Sequence, residues 1–294
     1  MDEGIDYKAR YGDWAMVVGA SYGLGEALAR ELARRGMNVV ITARGHDKLA
    51  LAASRIRDDF RVDVKTVAAD LSDPGVLDVI LAGLGGTEID FLIFNAALEH
   101  GGEFIVQDVE RHLANIQVNC VAPTVVVHHF ARRMAERGRG GVVISSSLAA
   151  AQGLYAWSSY GASKSYENLL GQALWFELKR KGVDAATFMI GSTYTPSFQR
   201  NQKLRQTPFA ETRTPEGLPE GTPVPQDPEE AAANLFAQLD KEWLPLIYAN
   251  PRDEENAGKM AALTLAERIT LSSEAVVRSF EAAPGAKSGE PQLM

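Results

Sequence analysis

The chain has 294 residues, is 46% hydrophobic and carries a formal net charge of −8. That length accommodates one large α/β domain, or two small ones, and the acidic balance argues against nucleic acids and anionic membranes as partners. Cys120 is the single cysteine, which excludes an internal disulfide, and the first residues lack the basic and apolar parts of a signal peptide, so we expect a cytoplasmic protein.

The first apolar run, residues 14–20, leads into glycines spaced as Gly19-x-x-x-Gly23-x-Gly25 and then into an alanine- and leucine-rich stretch. This pattern predicts a strand, a tight turn and a helix. It is not the literal G-x-G-x-x-G fingerprint, but glycines permit close backbone approach, and a helix N-terminus offers unpaired N–H groups to a pyrophosphate. We therefore predict a dinucleotide-binding loop formed by Gly19, Ser21, Tyr22, Gly23, Leu24 and Gly25.

The end of the second predicted strand, residues 38–44, indicates which dinucleotide binds. In dinucleotide folds an acidic residue there accepts a hydrogen bond from the ribose 2′-hydroxyl, whereas an arginine suits a 2′-phosphate. Here Ala43 occupies the acid position, Arg44 follows it, and no carboxylate comes before Asp47. We therefore predict NADP(H) rather than NAD(H), with Lys48 in a supporting position.

The following segments continue to alternate between helix and strand. The pattern predicts a helix over residues 47–59, a strand over 62–68, a helix opened by Asp73-Pro74, a strand from Phe91 and one long helix over 107–137. The histidines lack the spacing of metal ligands, so we predict no metal site. No apolar run is long enough to span a bilayer.

Gly141 to Ser147 is a short apolar run that ends in three hydroxyls. It predicts a buried parallel strand, and ligands of open α/β sheets bind at the carboxyl ends of such strands. Ser145, Ser146 and Ser147 are all candidates for a substrate contact at that end.

Tyr160 and Lys164 lie four residues apart in a segment that predicts a helix, so both side chains share one face. A free phenol has a pKa of about 10, and an adjacent ammonium favours the phenolate and lowers that value. The pair could therefore act as a general acid or base on a hydroxyl or carbonyl. Tyr-x-x-x-Lys also occurs by chance in many helices, and it is the serine-rich strand end before it that makes this pair informative.

The glycine loop, Ser147 and the Tyr160/Lys164 pair thirteen residues later together resemble the short-chain dehydrogenase/reductase family, over roughly residues 12 to 250. The resemblance implies that Ser147 holds the substrate carbonyl, that Tyr160 exchanges the proton and that Lys164 also binds the cofactor ribose. The thirteen-residue spacing favours Ser147 over its two neighbours. The family resemblance further implies that Asn119 supports a water-mediated proton relay at a helix kink.

The same resemblance implies further cofactor contacts at strand ends, from Asp70, Leu71, Asn95, Ala96, Thr193 and Thr195. Asp70 and Leu71 would meet the adenine, and the two threonines the nicotinamide carboxamide. The chain departs from the family pattern at Val18, Phe94, Ala97 and Ile190, where threonine, asparagine, glycine and proline are usual.

The segment Gly191-Ser-Thr-Tyr-Thr-Pro-Ser197 is similar in sequence to the corresponding segment of bacterial 7β-hydroxysteroid dehydrogenases. The opening Tyr11-Gly-Asp-Trp14 also resembles them and the 17β-hydroxysteroid and long-chain 3-oxoacyl reductases. The predicted substrate wall is mostly large and apolar, without arginine or lysine, and comprises Ser147, Leu148, Leu154, Tyr155, Trp157, Tyr194 and Phe198. Such a wall favours a rigid polycyclic or long aliphatic ketone.

The last third of the chain begins with a proline-rich, aperiodic segment, residues 197–228, which we predict to be a substrate lid. The pattern then predicts a helix over 229–242, a strand over 243–250, helices over 253–268 and 273–282, and a disordered tail. We predict one Rossmann-like domain in residues 1–250, a doubly wound parallel sheet with helices on both faces, followed by a helical C-terminal extension in 251–294.

The predicted function is hydride transfer between NADP(H) and a bulky hydrophobic ketone or secondary alcohol of hydroxysteroid type. The alternatives are a 3-oxoacyl thioester reductase and an NADP-binding sensor without turnover. Nucleotide-sugar epimerases are disfavoured because the chain lacks a substantial C-terminal substrate domain. The resemblance also implies a homodimer or homotetramer that pairs through the helices containing Asn119 and Lys164.

Overall fold

A parallel β-sheet forms the centre of the computed structural model, which describes residues 5–195 and 225–281. The strands are β1 (Trp14–Val18), β2 (Asn38–Ala43), β3 (Val64–Ala68), β4 (Phe91–Phe94), β5 (Gly141–Ser147), β6 (Asp184–Ile190) and β7 (Leu246–Tyr248). They follow the order β3-β2-β1-β4-β5-β6-β7, and every neighbouring pair is parallel. The order reverses between β1 and β4, so the loops after these strands diverge and open a crevice.

Helices cover both faces of this sheet. They are α1 (Tyr7–Arg10), α2 (Gly23–Arg34), α3 (His46–Asp59), α4 (Val76–Leu84), α5 (Val109–Ile116), α6 (Ala122–Arg137), α7 (Ser158–Lys179), α8 (Pro228–Leu239), α9 (Pro251–Ala261) and α10 (Leu265–Glu281). Helices α1, α2, α3 and α8 contribute to one hydrophobic core, and α4, α6 and α7 to the other. Consecutive strand residues such as Met16 and Val17 are buried in opposite cores, which explains why the strands are continuous apolar runs.

The doubly wound architecture predicted from the sequence is confirmed, with three corrections to the helices. The helix predicted to open at Asp73-Pro74 begins at Val76. The predicted single helix over residues 107–137 contains a π-helical turn, Gln117–Val121, between α5 and α6. The extension breaks earlier than predicted, at Ala262, because Thr264 and Glu267 form a capping box that starts α10. Most of the predicted lid and the predicted disordered tail lie outside the described residues.

In residues 5–195 and 225–281, no helix combines the length and the apolar character that crossing a bilayer requires.

Candidate active site

The three serines that end β5 have different environments. The Ser145 hydroxyl donates to Asn95 Oδ1 at 3.3 Å, and the Ser146 hydroxyl donates to the carbonyl of Lys164 at 2.8 Å. Both serine side chains are buried, whereas Ser147 is half-buried at the open end of the strand. Ser147 is therefore the most accessible of the three, and its contact with a substrate stays a prediction.

Tyr160 and Lys164 lie on the first two turns of α7, which begins at Ser158. The Lys164 ammonium is 5.9 Å from the centre of the Tyr160 ring. The Trp157 ring meets that phenol edge-on, with the ring centres 5.5 Å apart. Tyr160 thus lies in the first turn of α7, where the helix carries a partial positive charge, and near the Lys164 ammonium.

Lys164 also forms an ion pair that the sequence analysis missed. Its Nζ lies 2.6 Å from Glu167 Oε2 and donates to the carbonyl of Ser145 at 3.1 Å. Lys164 is 3% exposed and Glu167 is fully buried. Burial raises the pKa of Glu167 to about 7, and the attraction of Lys164 opposes that rise. The only sequence signal was an acid three residues after the lysine, on the same helix face.

Asn119 is fully buried in the π turn and holds the loop after β4. Its Oδ1 accepts from the N–H of Leu98 at 2.7 Å, and its Nδ2 donates to the carbonyl of Leu98 at 2.9 Å. The same amide donates to the Ser163 hydroxyl at 3.0 Å, which ties the π turn to α7. These contacts make Asn119 the link between α7 and the loop after β4, and its part in a proton relay stays a prediction.

The glycine loop after β1 has the shape of a phosphate cradle. Gly19 adopts φ +86°, and a Cβ there would lie 2.7 Å from the Cα of Ala96 in the loop after β4. A Cβ at Gly25 would lie 1.9 Å from the Gly19 carbonyl, so α2 packs directly on the loop. The N-cap residue of α2, Tyr22, makes no side-chain capping hydrogen bond. The helix amides are therefore available to a pyrophosphate, and the cradle fits the predicted dinucleotide.

Basic side chains lie beside this loop at the end of β2. The Lys48 ammonium is 5.1 Å from the centre of the Tyr22 ring. Arg44 is exposed and close enough to influence Asp70: the backbone N–H of Ser72, then the charge of Arg44, hold the pKa of Asp70 below its usual range. Leu71, next in the chain, is buried. These positions agree with an anion-binding corner at the adenosine end of the predicted cofactor site.

The segment after β6 brings the predicted nicotinamide residues to the same edge of the sheet. Ser147 is in register with Ile190, the last residue of β6. The N–H of Tyr194 donates to the carbonyl of Gln226 at 2.8 Å, and the buried Thr193 forms a parallel bridge with Gln226. Thr193 and Thr195 thus lie one strand away from Ser147. Phe198, the last predicted wall residue, lies outside the described residues.

The side chains of the predicted substrate wall differ in exposure, and their contact with a substrate stays a prediction. Leu148, Leu154 and Tyr194 are half-buried, and Trp157 is 7% exposed. The Tyr155 hydroxyl donates to the carboxylate of Glu103, which raises the pKa of Tyr155 to about 12.

The C-terminal extension packs against the loop that follows β5. The Gln152 amide donates to the Ser272 hydroxyl of α10 at 2.9 Å, and the N–H of Tyr155 donates to the Ser273 hydroxyl at 3.1 Å. Because Leu154 and Trp157 belong to this loop, α10 supports the same stretch that carries part of the predicted substrate wall.

Within the part of the chain that the structure describes, no group of three histidine, cysteine, aspartate or glutamate side chains could hold a metal ion.

Several known proteins are similar to this chain in sequence. The family model of short chain dehydrogenases matches residues 13–206. A 7β-hydroxysteroid dehydrogenase from Collinsella aerofaciens is 32% identical over 86% of this chain and 91% of its own length. A very-long-chain 3-oxoacyl-CoA reductase from Mus musculus is 31% identical over 69% of this chain and 66% of its own.

Two solved structures extend the similarity to the fold. One, from work on 7β-hydroxysteroid dehydrogenase stereoselectivity, superposes with a TM-score of 0.80 at 30% identity and covers 91% of this chain and 99% of its own. A short-chain dehydrogenase from Sphingobium yanoikuyae in complex with NADPH gives 0.70 at 26% identity, over 86% and 96%. The predicted resemblance is confirmed, and the chain belongs to the short-chain dehydrogenase/reductase family of oxidoreductases.

Proposed function

We propose that this oxidoreductase transfers a hydride between NADP(H) and a bulky hydrophobic ketone, or the corresponding secondary alcohol, of hydroxysteroid type. The observation that carries the proposal is the convergence of Ser147, Tyr160 and Lys164 at the open end of β5. Ser147 is the accessible one of three serines, and the Lys164 ammonium lies 5.9 Å from the Tyr160 ring.

The chemistry follows from the character of each side chain. The Ser147 hydroxyl donates to the substrate carbonyl oxygen, and Tyr160 gives that oxygen its proton as the carbonyl becomes an alcohol. Lys164 favours the phenolate that remains, and Asn119 keeps the surrounding loop and helix in place. The nicotinamide, when bound, supplies the hydride, while the protein supplies position and electrostatics.

The side chains at the end of β2 suit the 2′-phosphate of NADP(H) better than the 2′-hydroxyl of NAD(H). Arg44 and Lys48 both flank the glycine loop, and Ala43 occupies the position where an acid would accept from a ribose hydroxyl. A guanidinium can bind a 2′-phosphate through two parallel hydrogen bonds. The Sphingobium relative, solved with NADPH, supports the same choice.

A bulky hydrophobic substrate agrees with the side chains around the site. Leu148, Leu154 and Trp157 follow Ser147 within ten residues, and Tyr194 lies on the neighbouring strand end. Apolar contact contributes roughly 25 cal/mol per Å² of buried surface, so a large rigid ketone gains more than a small polar one. The similarity to the Collinsella hydroxysteroid dehydrogenase favours a steroid-like compound.

A 3-oxoacyl thioester reductase is the second candidate, and the similarity to the mouse very-long-chain 3-oxoacyl-CoA reductase favours it. A long acyl chain is also bulky and apolar, so the wall alone does not separate the two classes.

We further propose that two copies pair through the outer face of α5 and α7. That face carries exposed apolar side chains: Val109, Leu113, Ile116, Tyr166, Leu169 and Phe176. Leu169 is 65% exposed, although it lies on the same helix as the buried Lys164. An apolar face of this kind usually marks an interface, and a two-fold axis would cover it on both copies.

A substrate panel tests the proposal. We expect NADPH oxidation with steroid ketones at a kcat/KM at least tenfold above that for small hydroxy acids or sugars, because one pocket contact alone gives about that ratio. Faster turnover of 3-oxoacyl thioesters would favour the second candidate. A clear preference for small polar ketones would contradict both candidates, and no turnover with any ketone would indicate a sensor.

A further inference from the structure

Lys164 and Glu167 form an ion pair in the interior of the protein, three residues apart on α7. Nζ and Oε2 are 2.6 Å apart, and Glu167 has no exposed surface. Glu167 Oε1 has no hydrogen-bond partner among the described residues. Removing two charges from water is costly, and a buried pair often stabilises a fold no better than apolar side chains of the same volume. Stabilisation of the fold alone therefore does not explain why Lys164 and Glu167 are buried as an ion pair.

The geometry fixes where the ammonium lies. An ammonium has three N–H donors. One meets the carbonyl of Ser145 at 3.1 Å and a second meets Glu167. The centre of the Tyr160 ring lies 5.9 Å from Nζ. Glu167 and β5 thus anchor Lys164, so its position relative to Tyr160 is set before any ligand binds.

Building on the function proposed above, we propose that Glu167 is a positioning residue for proton transfer at Tyr160. Its carboxylate anchors the Lys164 ammonium and offsets part of the positive potential that this ammonium exerts on the phenol.

The sign of the effect follows from the charges. The titratable groups that face the pair are Tyr160 on α7 and Cys120 on the π turn, and the pKa of that thiol is raised by burial and then by Glu167. Burial brings the pKa of Glu167 to about 7, so the carboxylate is ionised at the alkaline pH where a phenol titrates. A negative charge there opposes the phenolate, so Glu167 raises the pKa of Tyr160 relative to a neutral side chain.

Removing the charge of Glu167 should therefore lower the pKa of Tyr160. The test is a pH titration of tyrosinate absorbance without substrate or cofactor, with the Tyr160 signal isolated by subtracting the matching Tyr160→Phe protein. In Glu167→Gln we expect the Tyr160 midpoint to fall by about one pH unit, the size typical of a nearby charge in a partly buried site. Glu177→Gln, an exposed acid on the same helix, should leave the midpoint unchanged.

A second comparison shows whether Glu167 acts through Lys164. Without the ammonium, Glu167→Gln can act on the phenol only through the lost carboxylate charge, so an equal midpoint shift in a Lys164→Met background would overturn the anchoring role. A midpoint that is unchanged or raised in folded Glu167→Gln would overturn the proposal. If that variant does not fold, Glu167→Asp, which withdraws the carboxylate by one methylene, should lower the midpoint in the same direction, and no change would again overturn the proposal. Because no substrate is present, a wrong substrate class leaves this test intact.

Discussion

The proposed function depends mainly on individual side chains at the carboxyl ends of the strands. Ser145 and Ser146 donate to neighbouring groups inside the protein, and Ser147 alone of the three reaches the open edge. The sequence spacing favoured Ser147 without knowledge of those contacts. Glu167 shows the opposite case, because an acid three residues after a lysine is usually solvated, and only the packing of α7 against β5 buries it.

We propose that the choice between NADPH and NADH depends on Arg44. Arg44→Ala should weaken NADPH binding by about 1–3 kcal/mol, or roughly 5- to 150-fold, because a charge-assisted contact to the 2′-phosphate is lost. NADH binding should change little, since NADH has no phosphate at that position. Titration of cofactor fluorescence measures both, and Arg61→Ala provides a control at another exposed arginine. Equal affinities for NADPH and NADH in the unmodified protein would contradict the assignment.

The elements differ in how far the sequence could predict them. Strands buried on both faces are apolar runs, so β1, β2 and β5 were predicted close to their observed ends. The hydrophobic pattern did not predict the π turn, because the turn is tied to contacts between Asn119 and Leu98, which lies 21 residues away. Only the family resemblance implied a kink at Asn119. The start of α10 is indicated in the sequence by the Thr264-x-x-Glu267 capping box, which the predicted helix over residues 253–268 ran through.

The π turn itself can be tested through Asn119. Asn119→Ala leaves the buried N–H of Leu98 without its acceptor and removes one of the two amide donors to the Leu98 carbonyl, the other being Asn115. The lost contacts should lower the free energy of unfolding by about 1–3 kcal/mol. Chemical denaturation measures the loss. Asn256→Ala removes an exposed asparagine from α9 and should change the stability by less than about 0.5 kcal/mol. Equal stabilities of the two variants would show that the Asn119 contacts contribute little.

At the scale of the whole molecule, the apolar face on α5 and α7 predicts a dimer. Leu169→Lys places a charge in that interface on both copies, so it should raise the dimer dissociation constant by at least about tenfold. Sedimentation at micromolar concentration measures the mass. Leu51→Lys changes an equally exposed leucine on α3, across the sheet, and should leave assembly unaffected. A monomeric mass for the unmodified protein would rule out the interface.

One paired measurement tests the proposed proton transfer by Tyr160 in an NADPH-dependent ketone reduction. NADPH oxidation with a bulky ketone is compared in the unmodified protein, Tyr160→Phe and Tyr166→Phe, alongside NADPH affinity. Tyr160→Phe should lose at least about 100-fold in kcat, the lower range for general acid catalysis, while NADPH still binds. Tyr166→Phe, whose hydroxyl contacts Thr124, should keep full activity. If Tyr160→Phe retained more than about a tenth of the activity, a loss smaller than general acid catalysis produces, the account would be contradicted.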